Sequence, residues 1–240
     1  MNFRNKLKSL AQWTEVWPAQ KTDEMSKIAK LAISQGWYLN EVFIFSLYRD
    51  YSKEEINFSD FMKNLIFSEW DQHWESIKRV EPSRASIFDE AKHCFESEYY
   101  SAAIHLFFSQ SDGIFHDQFD KSLYKKEGER ARDEISTYIT DFISKDSLEI
   151  LFSQYKDASI LSRMFNEVYT SMFSEVATDA IKDINPSDPE SNLVIPNRHG
   201  VLHGFHKNYG NKTNALKCFT MLLFVLYTIH GDKMLTDSNI

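Results

Sequence analysis

The residues best suited to chemistry sit in one short segment, Pro196-Asn197-Arg198-His199-Gly200-Val201-Leu202-His203-Gly204. Arginine keeps its charge and presents a planar fork matched to phosphate oxygens. Histidine titrates close to neutral pH and serves as either acid or base. RNA is cut without a metal when a base deprotonates the 2′-OH, an acid protonates the leaving 5′-oxygen, and a cation steadies the crowded phosphate. Arg198 and His203 make half of such a site, and a two-fold dimer would supply two of each.

Two other readings compete. A bare Arg-x(4–6)-His pattern is weak by itself: with eight arginines, eight histidines and three allowed spacings, counting on composition gives roughly 0.8 matches by accident. A metal is the other possibility. His199 and His203 stand at i and i+4, on one helical face, as zinc-binding pairs do. The Glu of a His-Glu-x-x-His motif is missing, because position 200 is Gly. No acid follows His203 within twenty residues, so a third ligand would come from elsewhere.

Charge and cysteine usage narrow the class. The net charge of −8 argues against bulk affinity for nucleic acid. The stretch from Ser191 to Gly231 nevertheless holds no Asp or Glu, while it carries Arg198, Lys207, Lys212, Lys217 and four of the eight histidines. A local cationic surface on an acidic body is the expectation. Cys94 and Cys218 are the only cysteines, both in apolar helical contexts, which suits buried thiols in a reducing, cytoplasmic setting. The N-terminus lacks the apolar stretch of a signal peptide. The longest apolar run, Cys218 to Ile229, has twelve residues, short of the roughly 20 that a membrane span needs. It reads as a buried core helix.

The elements that must position the motif are helices. Hydrophobic residues make up 42% and aromatics 15% of the chain, a globular composition. Seven Gly and five Pro are few, and half of these twelve fall between Pro186 and Gly210. No run of alternating β-branched residues marks a strand. The fold class expected is all-α, an up-and-down helical bundle with an additional helical N-terminal region. All five tryptophans lie in the first 80 residues, and Glu81-Pro82-Ser83 then breaks the pattern. This suggests a helical region over 1–80 and a domain over 83–240, although both could share one core. Ser83 is a plausible N-cap for a first helix. Further helices are expected over Tyr99–Phe119, Lys121–Ser144 and Ile160–Ile184, the last with Met164, Val168, Met172, Val176 and Ala180 at i+4. The motif follows as a helical turn opened by Pro196 and closed by Gly204, and a final helix covers Thr213–His230.

Asn197 to Gly204, the loop with Tyr209-Gly210, and the helix with Asn214-Ala215-Leu216-Lys217 resemble the C-terminal part of bacterial HEPN-type proteins. His199, straight after the arginine, also suits that pattern. The stretch from Tyr99-Tyr100-Ser101-Ala102-Ala103-Ile104 through Ser109-Gln110-Ser111-Asp112-Gly113-Ile114 looks like a second block that accompanies it. The resemblance spans about residues 83–231 and leaves 1–80 without a counterpart.

The resemblance implies a bundle that dimerises through the motif helix. It implies metal-independent endoribonuclease activity, with no cofactor, that leaves a 2′,3′-cyclic phosphate and a 5′-OH. A toxin, phage-defence or stress setting goes with it, with an antitoxin or defence-system protein as a further partner. Arg198 is then the phosphate ligand and His203 the acid or base. Asn197 and His199 are positioning groups, Asn197 suiting a helix cap equally well. Asp112 would orient His203 or Arg198, with Gln110 beside it on the same helix. His206, Lys207 and Lys212 are candidates for contact with the RNA backbone, or else solvated loop residues. Some relatives only bind nucleotides or partner proteins, so a non-catalytic binding module is the alternative.

Overall fold

The structure, a computed structural model of the 240-residue chain, describes residues 19–51, 57–124, 168, 171–172 and 194–235. The described helices, numbered in chain order, are α1 (Ala19–Ser34), α2 (Glu41–Asp50), α3 (Phe58–Phe67), α4 (Trp70–Val80), α5 (Ala85–Glu96), α6 (Tyr100–Phe119), α7 (Arg198–Leu202), α8 (Lys212–His230) and α9 (Asp232–Leu235). No strand occurs among the described residues, and the class is all-α.

Local signals account for most helix starts. Asparagine caps four of them, the side-chain oxygen taking an orphan N–H of the first turn. Asn40 accepts from Phe43 on α2, Asn57 from Ser59 and Asp60 on α3, Asn197 from Gly200 on α7, and Asn211 from Asn214 on α8. The helix expected from Ser83 starts differently. Pro82–Arg84 forms a 3-10 turn, so Ser83 lies inside that turn, and Arg84 precedes α5 without a side-chain cap. A proline at the head of a short turn fixes φ for it. Pro196 also misses its expected place at the first helical position, since Asn197 is the cap and Pro196 stands one residue before it. The expected helices over 121–144 and 160–184 lie outside the described residues, apart from the turn at Lys121–Tyr124 and the buried Val168 and Met172.

α8 is the axis of the core. Every side chain from Cys218 to Ile229 is buried, as expected of a helix that is apolar all round. By length and composition α8 could cross a membrane, yet most of it is buried among the other helices. Its chief partner is α6, where Phe107 meets Phe219 at 5.5 Å between ring centroids. From the other side α4 brings Trp70 and Trp74 onto the same Phe219 ring at 5.1 and 4.9 Å. Offset aromatic pairs of this kind contribute roughly 0.5–1.5 kcal/mol each beyond the area they bury.

Residues on both sides of Glu81–Ser83 belong to one hydrophobic cluster that runs from Met25 to Met234. The α1–α2 turn joins it directly. The Tyr38 N–H donates to the Thr220 hydroxyl on α8 at 3.3 Å, and the Leu39 N–H reaches the Met172 sulfur at 3.0 Å. Both cysteines are free thiols, Cys218 buried and Cys94 half-buried. Burial pushes the Cys218 thiol far up from its ordinary value, as a low-dielectric setting disfavours the thiolate.

Candidate functional site

The chain enters the motif through Val194 and Ile195, and two neighbours fix that entry. The Lys217 ammonium on α8 donates to the Val194 carbonyl at 2.6 Å and lies 5.7 Å from the Trp37 ring. Burial holds the Lys217 amine below its usual range. Gly36, at φ +80°, approaches the same carbonyl, and a Cβ there would fall 2.5 Å from the Val194 oxygen. Only glycine combines that backbone with that approach. The N-terminal turn thus sets the depth at which the motif begins.

Asn197 is 1% exposed, and its side-chain oxygen accepts the Gly200 N–H at 2.9 Å. The cap role suggested by its position is the geometry found. The same turn carries a close contact on its inner side. A Cβ on Gly200 would sit 2.6 Å from the His206 ring, and the His206 and Phe205 N–H groups both donate to the Gly200 carbonyl, at 3.0 and 2.8 Å. His206 is 4% exposed. The expectation of His206 as a loop residue able to touch RNA is therefore corrected: the gap left by glycine lets the imidazole fold inward.

Arg198 is held from two directions. Its Nη2 is 3.6 Å from Asp112 Oδ2 on α6, and its Cζ lies 4.6 Å from the centroid of the Tyr124 ring. Asp112 uses its other oxygen to accept from the Ser122 hydroxyl and the Leu123 N–H, both at 2.8 Å. This pair of bonds folds the chain back after α6, which ends at Asp120 in the left-handed region. It also places Tyr124 beneath the arginine. Burial, with the Asp112 charge adding to it and Arg198 opposing it, keeps the Tyr124 phenol well above its ordinary value and neutral. Arg198 remains part-exposed, with 31% of its side chain open to solvent.

The two imidazoles of the motif are at the surface. His199 and His203 have ring centroids 4.2 Å apart, with Phe205 6.1 Å from His203. The His203 N–H donates to the His199 carbonyl at 3.0 Å, which fixes their spacing. Leu202 and Phe205, exposed at 44% and 51%, flank them. Asp112 therefore serves Arg198, and no bond from Asp112 to His203 occurs among the described residues.

The chain matches no family model, no curated protein and no solved structure.

The remaining candidates scatter. Gln110 does not join Arg198: its oxygen accepts from Arg84 at 2.8 Å and its amide donates to Ser109. Residues i and i+2 do not share a helix face, which separates Gln110 from Asp112. Lys207 is exposed on the loop, and Lys212 is exposed at the start of α8, its ammonium 4.7 Å from the Phe67 ring. Tyr124 and Gly36 shape the site without having been singled out for it from sequence, and Lys217, named there for its charge and its place in the resemblance, turns out to hold the Val194 carbonyl. Their partners are remote in the chain, and nothing in their own neighbourhoods signals the contact.

Proposed function

We propose that the chain is a metal-independent endoribonuclease of the HEPN kind, working as a homodimer in which Arg198 and His203 of two copies share one cleft. The observation that carries this reading is the division of labour in the motif. Arg198 is pinned by Asp112 and Tyr124, while the His199 and His203 imidazoles are open to solvent. A fixed cation beside solvent-accessible acid–base groups is what cleavage at a phosphate requires.

In the proposed step one His203 takes the proton of the 2′-OH, and the 2′-oxygen attacks phosphorus. The P–O5′ bond breaks, and the other His203 gives the 5′-oxygen its proton. The products are a 2′,3′-cyclic phosphate and a 5′-OH. Arg198 binds the non-bridging oxygens. The cellular setting that fits is a growth-arresting toxin or phage-defence effector, with an inhibitor or defence partner alongside RNA.

A second reading has its own support. Asp112 already neutralises part of the Arg198 charge, and the whole chain carries −8. Both suit a non-catalytic module that binds a nucleotide or a protein. Incubating purified protein with structured and unstructured RNA in EDTA separates the two. Cutting by the wild type alone, with cyclic-phosphate ends and loss in Arg198→Ala and His203→Ala, supports the nuclease. Intact RNA from a folded dimer supports the binding module.

A further inference from the structure

His199 and His203 stand on the exposed side of α7, one helical turn apart. Their backbones are tied by the hydrogen bond from the His203 N–H to the His199 carbonyl at 3.0 Å. Their rings lie 4.2 Å apart between centroids, tilted at an interplanar angle of 53°. Among the described residues, neither ring nitrogen set takes part in a hydrogen bond or ion pair, the only recorded ring neighbours being each other and Phe205. Two imidazoles held together at the surface with their nitrogens unused are open to a ligand that both can grip.

We propose that His199 and His203 form a two-imidazole chelating site for a borderline-soft divalent transition ion, Zn2+ in particular. Neutral imidazole is a ligand for such ions and not for Mg2+ or Ca2+, which want oxygen. Zinc–nitrogen bonds of about 2.0–2.1 Å in a tetrahedral shell put two ring centroids roughly 5 Å apart. The present rings need open by only about 1 Å, a small rotation for surface side chains. Water completes the shell, as it does in open zinc sites.

The site has a consequence that rests on the ribonuclease reading. An ion held by His203 occupies the lone pair that would take the 2′-OH proton. Zinc then switches the centre off, and the cation is an inhibitor, not a cofactor. Mg2+ leaves it untouched.

The test uses the full chain and has two independent arms. Zn2+ affinity is measured by competition with a chromophoric chelator for the wild type, His199→Ala, His203→Ala and the control His93→Ala, which alters an exposed histidine elsewhere on the surface. Loss of one of only two ligands weakens binding by about tenfold or more, so both motif variants fall by that factor while the control stays with the wild type. Zn2+ also raises the melting temperature of the wild type, and of neither motif variant. Equal affinity in all four proteins overturns the proposal. In the second arm, RNA cleavage without chelator is followed as Zn2+ or Mg2+ is added. RNA left intact under every condition removes the ribonuclease reading and leaves the chelation result standing; cleavage that survives saturating Zn2+ overturns the inhibitory role.

Discussion

Tyr124 lies beneath Arg198, its ring centroid 4.6 Å from the guanidinium carbon. The phenol ring sits in the core while the guanidinium reaches solvent. A buried aromatic face thus aims a part-exposed cation, at a cost in entropy that is met when the chain folds and not when a ligand arrives.

Tyr124→Phe keeps that face and Tyr124→Leu removes it. A cation–π contact of about 0.5–2 kcal/mol corresponds to a few-fold to roughly thirtyfold in rate. On the ribonuclease reading, the Phe variant retains cleavage and the Leu variant loses it by up to that factor. Single-turnover cleavage of one RNA by the three proteins is the measurement, and equal rates for Phe and Leu would show that the ring does not position Arg198.

Asp112 has two jobs that substitution separates. Asp112→Asn keeps an oxygen for the Ser122 hydroxyl and the Leu123 N–H but removes the charge beside Arg198. A loose, part-exposed ion pair is worth about 0–1 kcal/mol, so stability changes little. Asp112→Ala strands the Leu123 N–H and should cost about 1–3 kcal/mol. Urea denaturation of both variants checks the order, which the opposite ranking would refute.

Gly36 and Gly204 form a matched comparison. Both have positive φ, +80° and +74°, but a Cβ at 204 meets nothing within 4 Å, whereas one at 36 collides with Val194. Gly204→Ala bears only the backbone cost, about 1–2 kcal/mol. Gly36→Ala bears that and a displaced motif entry, and loses more stability. Thermal unfolding of the pair reads the difference, and similar losses would mean that the Val194 carbonyl gives way freely.

The pH profile of stability has a definite sign in the alkaline range. The Cys218 thiol and the Tyr124 phenol are raised in the folded state above ordinary values of 9.0 and 10.0. Folded protein holds these protons where unfolded chain releases them. Their contribution is complete below about pH 9 and is lost as pH climbs above it. Lys217, lowered by burial, works the other way, its folded-state penalty easing as pH rises toward 10.5. Cys218→Ala therefore flattens the fall of stability with pH above about 9, whatever it costs at neutrality through the cavity it leaves. Denaturation midpoints at several alkaline pH values, compared as slopes, test this; parallel slopes would contradict it.

Local signals made much of the helix pattern legible. The periodic stretch expected over Tyr99–Phe119 appears as Tyr100–Phe119, and the last helix, expected from Thr213, starts at Lys212. Both are long and strongly patterned, and Asn197 and Gly204 sit at helix-end positions that their residue types favour. Short elements were harder. Around Pro82 and Pro196 a turn or a cap one residue away competes with the proline, and the balance is decided by neighbours. In the site, the Arg198–Asp112 contact was within reach because Asp112 interrupts an apolar helix and so demands a partner. The inward turn of His206 was not, because it depends on the empty space above Gly200. The Arg84–Gln110 bond and the Tyr124–Arg198 contact join segments that no spacing rule connects.

The meeting of Gly36, Val194 and Lys217 has an evolutionary reading. A side chain arriving at position 36 pushes on the strip of backbone that leads to Arg198, so tolerance at one place depends on what stands at the others. The segments that carry Gly36 and the motif are therefore poorly suited to exchange one without the other. A steric demand made by the motif thus reaches a turn that carries no reactive group.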